Sequence, residues 1–114
     1  MKLPSLSLLG ASFVLAFSCV SPAQAAVDAD AAQALFKKND CTKCHSVDKT
    51  KKGPALKKIA AKYKGKSEGQ AKVIDNMTKG PKVKLDDGTE EDHKVIDTKD
   101  AAAQKNLADW ILSQ

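Results

Sequence analysis

The segment Cys41-Thr42-Lys43-Cys44-His45 places two cysteines and a histidine where they could act together. Side chains three residues apart project to the same side of a helical turn, so Cys41 and Cys44 could bond to the two vinyl groups on one porphyrin edge. His45, the next residue, could then bind the iron beneath the ring. The Cys-x-x-Cys-His spacing is the attachment pattern of c-type haem. The segment therefore predicts one covalently bound haem c with its iron.

Two other uses of paired cysteines compete with haem attachment. A zinc site requires further cysteine or histidine ligands at ordinary spacing, and the chain offers only Cys19 and His93. A redox dithiol of the thioredoxin type lies beside a strand-helix-strand pattern, and no convincing strand can be predicted anywhere in this sequence. Haem attachment is favoured because it also agrees with the export signal described next.

The amino terminus has the features of an export signal. Met1 and Lys2 form a short positive start, residues 6 to 20 form an apolar run, and Ala23-Gln24-Ala25 resembles a small-residue cleavage site. The apolar run is shorter than the roughly 20 residues that a membrane span requires. We therefore predict a cleaved signal peptide over residues 1–25 and a periplasmic location.

The remaining chain, residues 26–114, is predicted to form one domain that binds the haem. Cleavage would remove Cys19, and a lipid anchor at that cysteine is disfavoured by Phe17. A domain of 89 residues buries only a modest part of its surface, and this one has few aromatic residues and no possible disulfide besides the haem cysteines. We expect the haem to complete the hydrophobic core, and the apoprotein to be poorly folded.

Hydrophobic periodicity predicts about four helices around the haem, so the fold class is all-α. The first helix is predicted to be capped by Asp28 or Asp30 and to end at Lys38. Its predicted inward positions are Ala31, Ala34, Leu35 and Phe36.

Glycine-proline pairs delimit the two middle helices. Gly53-Pro54 precedes a helix with an apolar face made of Leu56, Ile59, Ala60 and Tyr63. The third helix carries Val73, Ile74 and Met77, and Gly80-Pro81 ends it. An irregular, charged stretch is predicted from Pro81 to about Asp97.

The last helix is predicted to be capped by Thr98 or Asp97, with Asp100 in its first turn. Its predicted inward positions are Ala103, Leu107, Trp110 and Ile111.

Four segments of the mature chain together resemble the class I c-type cytochromes, and most closely the small bacterial cytochromes of the c-551 (c8) type. The segments are Cys41 to His45, Lys52-Gly53-Pro54-Ala55, Ile59 to Gly65 and Leu107 to Gln114. The resemblance implies electron transfer and a fold in which the first and last helices cross beside the haem. It also implies that the Pro54 carbonyl accepts a hydrogen bond from Nδ1 of His45, which orients the ring.

The chain departs from that family at the second axial ligand. The family supplies a methionine from the loop before the last helix, and the loop from Pro81 to Asp97 contains none. Met77 is in register with the apolar face of the third helix and is predicted to be a packing residue. His93 is 48 residues after His45, close to the family's placement. We predict ligation by His45 and His93 and a low reduction potential, with Met77, Lys94 and an open iron as alternatives.

Positive charge is concentrated around the attachment segment. Residues 37 to 66 carry eleven lysines and two acids, whereas residues 67 to 114 carry seven lysines and ten acids. The predicted docking lysines are Lys37, Lys38, Lys43, Lys49, Lys51 and Lys52. Such a basic collar would steer a transient acidic redox partner to the haem edge. Nucleic acid is disfavoured because the chain is exported and has no arginine.

The sequence as a whole predicts a soluble, monomeric electron-transfer shuttle without a catalytic reaction of its own. A haem-based ligand-binding or sensing protein, in which His93 dissociates from the iron, is the main alternative. A small haem enzyme such as a peroxidase is less well supported, because no acid-base pair accompanies His93.

Overall fold

The computed structural model describes residues 26–114. It contains four α-helices, α1 (Ala29–Lys38), α2 (Leu56–Tyr63), α3 (Gly69–Lys79) and α4 (Ala101–Leu112), a 3-10 helix (Cys41–Lys43) and the strands β1 (Lys82–Lys84) and β2 (Glu90–Asp92). The predicted four-helix fold is confirmed. The predicted signal peptide and Cys19 lie outside the described residues. Within the described range, no helix combines the length and apolar character needed to cross a membrane.

The last helix organises the core, since α4 packs against α1, α2 and α3. Leu107 and Ala108 of α4 are 0% exposed. Phe36 of α1 meets Trp110 of α4 edge to face, with ring centroids 5.5 Å apart. The first and last helices are therefore joined through the interior, and the other two helices are held against the same hydrophobic face.

The first helix begins where predicted but buries a different face. The Asp28 side chain accepts a hydrogen bond from the backbone N–H of Ala31 at 3.0 Å, which caps the helix. The helix buries Ala32 and Phe36, one turn apart, whereas Ala31 and Ala34 are exposed. The predicted inward stripe is wrong in this respect, because several alanines in a row carry little directional signal and the packing of Phe36 sets the rotation of the helix.

The cap of the last helix also differs from the prediction. The Asp100 side chain, and not that of Asp97 or Thr98, accepts the hydrogen bond from the backbone N–H of Ala102 at 2.9 Å. Asp97 is not available for capping because it is bonded to Asn39 in a neighbouring segment. Local sequence offered several equivalent caps, and a long-range contact selected among them.

The stretch after α3, predicted to be irregular, contains an antiparallel hairpin, so the prediction of no strand is wrong. Lys82 is paired with Asp92 and Lys84 with Glu90, so opposite charges lie directly across the two strands. The turn includes Gly88, whose φ of +86° is a left-handed conformation that glycine adopts readily.

The hairpin was not predicted from the sequence because each strand has only three residues and almost all of their side chains are exposed. Strands of this kind show no alternation of apolar and polar residues. The signal that could have revealed the hairpin is Asp87-Gly88, a typical hairpin turn, between a lysine-rich and an acidic triplet.

We predict that Leu107→Ala lowers the free energy of unfolding by about 2 to 5 kcal/mol, because it leaves a cavity where α4 meets the other helices. Chemical denaturation followed by circular dichroism measures this change. Lys105→Ala, at an exposed position of the same helix, serves as the control and should change stability by about 0.5 kcal/mol or less. Equal effects of the two substitutions would contradict the central role of α4.

Candidate functional site

A tight turn places the two cysteines of the attachment segment. The backbone N–H groups of Cys44 and His45 both donate to the carbonyl oxygen of Cys41, at 3.2 and 2.9 Å. Asp40, directly before the turn, adopts a left-handed φ of +57°. Both cysteines are partly buried free thiols at the edge of one cavity, and burial raises the pKa of Cys41. The turn therefore presents both sulfur atoms to the same cavity.

The ring of His45 is held by the backbone of the Gly-Pro pair. Its Nδ1 atom is 2.7 Å from the carbonyl oxygen of Pro54, so Nδ1–H donates and Nε2 is left to bind a metal. Burial lowers the pKa of His45, and the bond to Pro54 opposes part of this shift. A Cβ atom on Gly53 would be only 2.6 Å from Cε1 of His45. Glycine is therefore required where the imidazole packs on the chain.

His93 lies at the base of the hairpin, immediately after β2. Its backbone N–H donates to the carbonyl oxygen of Pro81 at 2.8 Å, and its Nδ1–H donates to the carbonyl oxygen of Lys94 at 2.9 Å. The end of α3 also approaches closely, since a Cβ atom on Gly80 would be 2.9 Å from the carbonyl oxygen of His93. The ring of His93 is thus oriented in the same way as the ring of His45. In each histidine, Nδ1–H donates to a backbone carbonyl oxygen, and Nε2 is left to bind a metal.

The rings of His45 and His93 lie close together beside one cavity. Their centroids are 6.1 Å apart and their planes are inclined by 38°. A metal-imidazole bond is about 2.0 to 2.1 Å long, and the bonding nitrogen lies roughly 1.1 Å from the ring centroid. Two imidazoles on opposite sides of one metal ion therefore have centroids roughly 6.3 Å apart. The spacing of His45 and His93 agrees with this arrangement.

The cavity between the two histidines has a volume of about 590 Å³ and a mainly apolar lining. This volume is typical of cofactor sites. Besides both cysteines and both histidines, its lining includes Phe36, Leu56, Ile59, Tyr63, Val73, Met77, Val83, Leu85, Ile96 and Ile111. Two thiols at one edge and two imidazoles across the interior fit a covalently attached haem. Within residues 26–114, no group of three or more His, Cys, Asp or Glu side chains is arranged to hold a metal ion by itself.

The alternative axial ligands occupy other positions. Met77 is 5% exposed and belongs to the core cluster, while its side chain also lines the cavity. The Nζ atom of Lys94 is 3.3 Å from an Asp40 carboxylate oxygen, in an exposed ion pair. The structure thus brings the His93 ring close to the His45 ring, directs Lys94 towards Asp40, and places Met77 on the wall of the cavity.

Three of the predicted docking lysines are partly neutralised by ion pairs. Lys38 pairs with Asp97 at 3.0 Å, Lys43 with Asp40 at 3.2 Å and Lys52 with Glu91 at 3.8 Å. Lys51 donates to the carbonyl oxygen of Thr42 at 2.7 Å. Lys37 and Lys49 form no ion pair with any residue that the structure describes. The positive collar is therefore weaker than the lysine count indicates.

Sequence reasoning missed Asn39, a buried residue two positions before Cys41. Its side-chain amide donates to the carbonyl oxygen of Leu35 and to the carboxylate of Asp97, and accepts from the backbone N–H of Asp97. An asparagine at the end of a helix is ordinarily a cap, so the sequence contained no signal for this long-range contact.

The fold and the site define a class I c-type cytochrome, a monohaem electron-transfer protein. The sequence model of the cytochrome c family matches residues 29–114, and the chain belongs to this family. Among solved structures, it is similar to the class 1 cytochrome MtoD from Sideroxydans lithotrophicus ES-1. The two are 55% identical with a TM-score of 0.74, over 77% of this chain and 97% of that one.

Two curated relatives extend the comparison. The chain is 36% identical to cytochrome c-552 of Nitrosomonas europaea over 100 residues, covering 78% of this chain and 80% of the relative. It is 44% identical to cytochrome c-551 of Pseudomonas denitrificans over 48 residues, covering 42% of this chain and 58% of the relative. Both relatives are small bacterial cytochromes of the kind that the sequence motifs indicated.

We predict that Gly53→Ala displaces the His45 ring, because the added Cβ would overlap Cε1. Proton NMR of the oxidised holoprotein should show moved His45 ring signals. Gly65→Ala provides the control, since open space surrounds that glycine and its φ of +72° makes the substitution costly by about 1 to 2 kcal/mol. The control should lower stability and leave the ring signals in place. Unmoved signals in Gly53→Ala would contradict a steric role for the glycine.

Proposed function

We propose that the chain is a periplasmic electron shuttle of low reduction potential in which His45 and His93 are both axial ligands of one haem. The observation that supports the proposal is the facing pair of imidazoles with centroids 6.1 Å apart. The proposal accounts for the loop between α3 and α4, which has no methionine and has a histidine at the base of its hairpin.

Each residue of the site has a separate task in this proposal. Cys41 and Cys44 would hold the haem covalently at the edge of the cavity, and the haem would supply an iron able to exchange one electron. The carbonyl of Pro54 orients His45, and the carbonyl of Lys94 orients His93. Hydrogen bonds to Nδ1 make both imidazoles stronger ligands and prevent them from rotating.

The low potential follows from the identity of the second ligand. A thioether sulfur raises the potential of haem iron, and a second imidazole lacks that effect. With His93 as the ligand, the protein would operate below its methionine-ligated relatives and exchange electrons with different donors and acceptors. Two permanently bound ligands leave no position for a substrate, which favours electron transfer over catalysis.

The partner in this proposal is an acidic redox protein that meets the monomeric cytochrome transiently. Lysines around the attachment segment provide the positive potential, and Lys37, Lys49 and Lys51 contribute most because no described acidic residue pairs with them. Exposed ion pairs at the other lysines weaken the field but do not cancel it, since surface charges remain hydrated.

The second candidate function is a haem-based sensor or ligand-binding protein, in which His93 leaves the iron and a small molecule replaces it. The observation that favours this candidate is that His93 lies in a segment without regular secondary structure. Carbon monoxide added to the reduced protein distinguishes the two functions. A prompt spectral change indicates an openable site, and an inert spectrum indicates a shuttle.

We predict that the oxidised holoprotein lacks the weak near-red absorption band of an iron-methionine bond and has the electron paramagnetic resonance spectrum of two imidazole ligands. His93→Met should introduce the near-red band and raise the reduction potential, because sulfur stabilises ferrous iron. Met77→Leu is the matched control and should leave both the spectrum and the ligand type unchanged. A near-red band in the wild type that Met77→Leu removes would disprove ligation by His93.

We predict that electron exchange with an anionic redox probe, such as ferricyanide, slows as ionic strength rises, because salt screens the attraction to the lysines. Lys49→Gln should slow exchange at low salt more than Lys99→Gln, which removes the same charge from a position before α4. Stopped-flow kinetics at several salt concentrations provides the comparison. Equal rates for the two variants would show that net charge alone, and not the collar, controls the encounter.

A further inference from the structure

The segment from His93 to Asp97 is fixed without belonging to a helix or a strand. Three of its backbone N–H groups donate to acceptors in two other parts of the chain, the end of α3 and the end of α1. His93 donates to Pro81 at 2.8 Å, Ile96 to the carbonyl oxygen of Met77 at 2.9 Å, and Asp97 to the Oδ1 atom of Asn39 at 2.9 Å. The first two acceptors are backbone carbonyls at the end of α3 and just beyond it. The third is a side chain.

Asn39 is the one polar residue among the buried residues that the structure describes, with 5% exposure. Its Nδ2 group donates to the carbonyl oxygen of Leu35 at 3.0 Å and to the Oδ1 atom of Asp97 at 3.2 Å. Its Oδ1 atom accepts the backbone N–H of Asp97. The amide is therefore fully engaged, and a nonpolar replacement would leave the N–H of Asp97 without its partner.

Two exposed ion pairs flank this buried contact. Lys38 pairs with Asp97 and Lys94 pairs with Asp40, so the residues on both sides of Asn39 also contact the segment after His93. The partners of these pairs are about half or more exposed, and pairs of this kind contribute little to stability. We call the group formed by Asn39 and these two ion pairs the clasp. Its five members are Lys38, Asn39, Asp40, Lys94 and Asp97, and only Asn39 is buried.

The clasp connects the haem attachment segment to the segment that carries His93. Asn39 is two residues before Cys41, which holds the haem covalently, and Asp97 is four residues after His93. A chain of four residues spans at most about 14 Å, so fixing Asp97 strongly limits where His93 can move. The position of the second ligand is thereby tied to the position of the attachment site.

We propose that Asn39 is a positioning residue for His93, holding Asp97 against the end of α1 so that the imidazole stays opposite His45 and excludes small molecules. This inference rests on the proposed ligation by His93. It decides between the two candidate functions, since the same fold is a closed shuttle with the clasp intact and an openable site without it.

The test is carbon monoxide association with the reduced holoprotein, followed by stopped-flow absorption. Asn39→Leu keeps a similar side-chain volume and removes every hydrogen bond of the amide. We expect it to accelerate association by roughly tenfold or more, because the unpaired N–H favours detachment of the segment. The electron paramagnetic resonance spectrum of the oxidised variant should also change, since it reports the relative orientation of the two rings.

Two control variants separate positioning from general loss of stability. Leu112→Ala removes a partly buried side chain that packs on the core outside the clasp, so it should lower the melting temperature without accelerating association. Asp97→Asn keeps a side-chain oxygen that can accept from Asn39 and a backbone N–H that can donate to Asn39. Its rate of carbon monoxide association should be close to that of the wild type. Equal acceleration by Leu112→Ala and Asn39→Leu would overturn the proposal, as would a wild-type association rate for Asn39→Leu.

His93→Ala distinguishes failure of this inference from failure of the proposed function. If His93 is the ligand, this variant should bind carbon monoxide much faster than the wild type. An unchanged rate in His93→Ala would refute ligation by His93 and the positioning role together. A fast His93→Ala with an Asn39→Leu of wild-type rate would refute only the role of Asn39.

Discussion

The structure depends on keeping two imidazole rings opposite each other across one apolar cavity. Neither ring is carried by an α-helix or by a strand of the hairpin, and the two histidines are 48 residues apart in the chain. Their facing geometry therefore has to come from the surroundings. His45 is held by a tight turn and by the Pro54 carbonyl, and His93 by the base of the hairpin and the end of α3. The helix α4 then holds the remaining helices around the cavity.

The same constraint explains why small local features matter in this domain. Gly53 provides space for one ring, and Gly80 permits close approach of the chain that carries the other. Asn39 is buried although it is polar, and burial of an amide is tolerated only when its hydrogen bonds are made. These residues do no redox chemistry themselves. They restrict the movement of the two residues that we propose as iron ligands, which is the condition for electron transfer without exchange of ligands.

Much of the fold could be predicted from the sequence, since one glycine-proline pair precedes α2, another ends α3, and apolar residues recur at helical spacing. Leu107, Trp110 and Ile111 were predicted to face inward and are buried. The prediction failed where local signals were weak or equivalent. Alanines on α1 did not reveal which face is buried, three acceptable caps preceded α4, and three-residue charged strands showed no alternation. Contacts distant in sequence decided the first two cases, and local pairing of oppositely charged residues decided the third.

The sequence by itself determined the family, the haem attachment segment and the absence of a loop methionine, because these are properties of residue type and spacing. It also singled out His93, the only other histidine, as a ligand candidate. Only the tertiary structure decided that His93 faces His45, that the collar lysines are partly paired, and that Asn39 joins the two sides of the cavity. The physical reason is that these facts are distances between residues far apart in the chain. Such distances are set by the packing of all four helices together, and no local pattern encodes them.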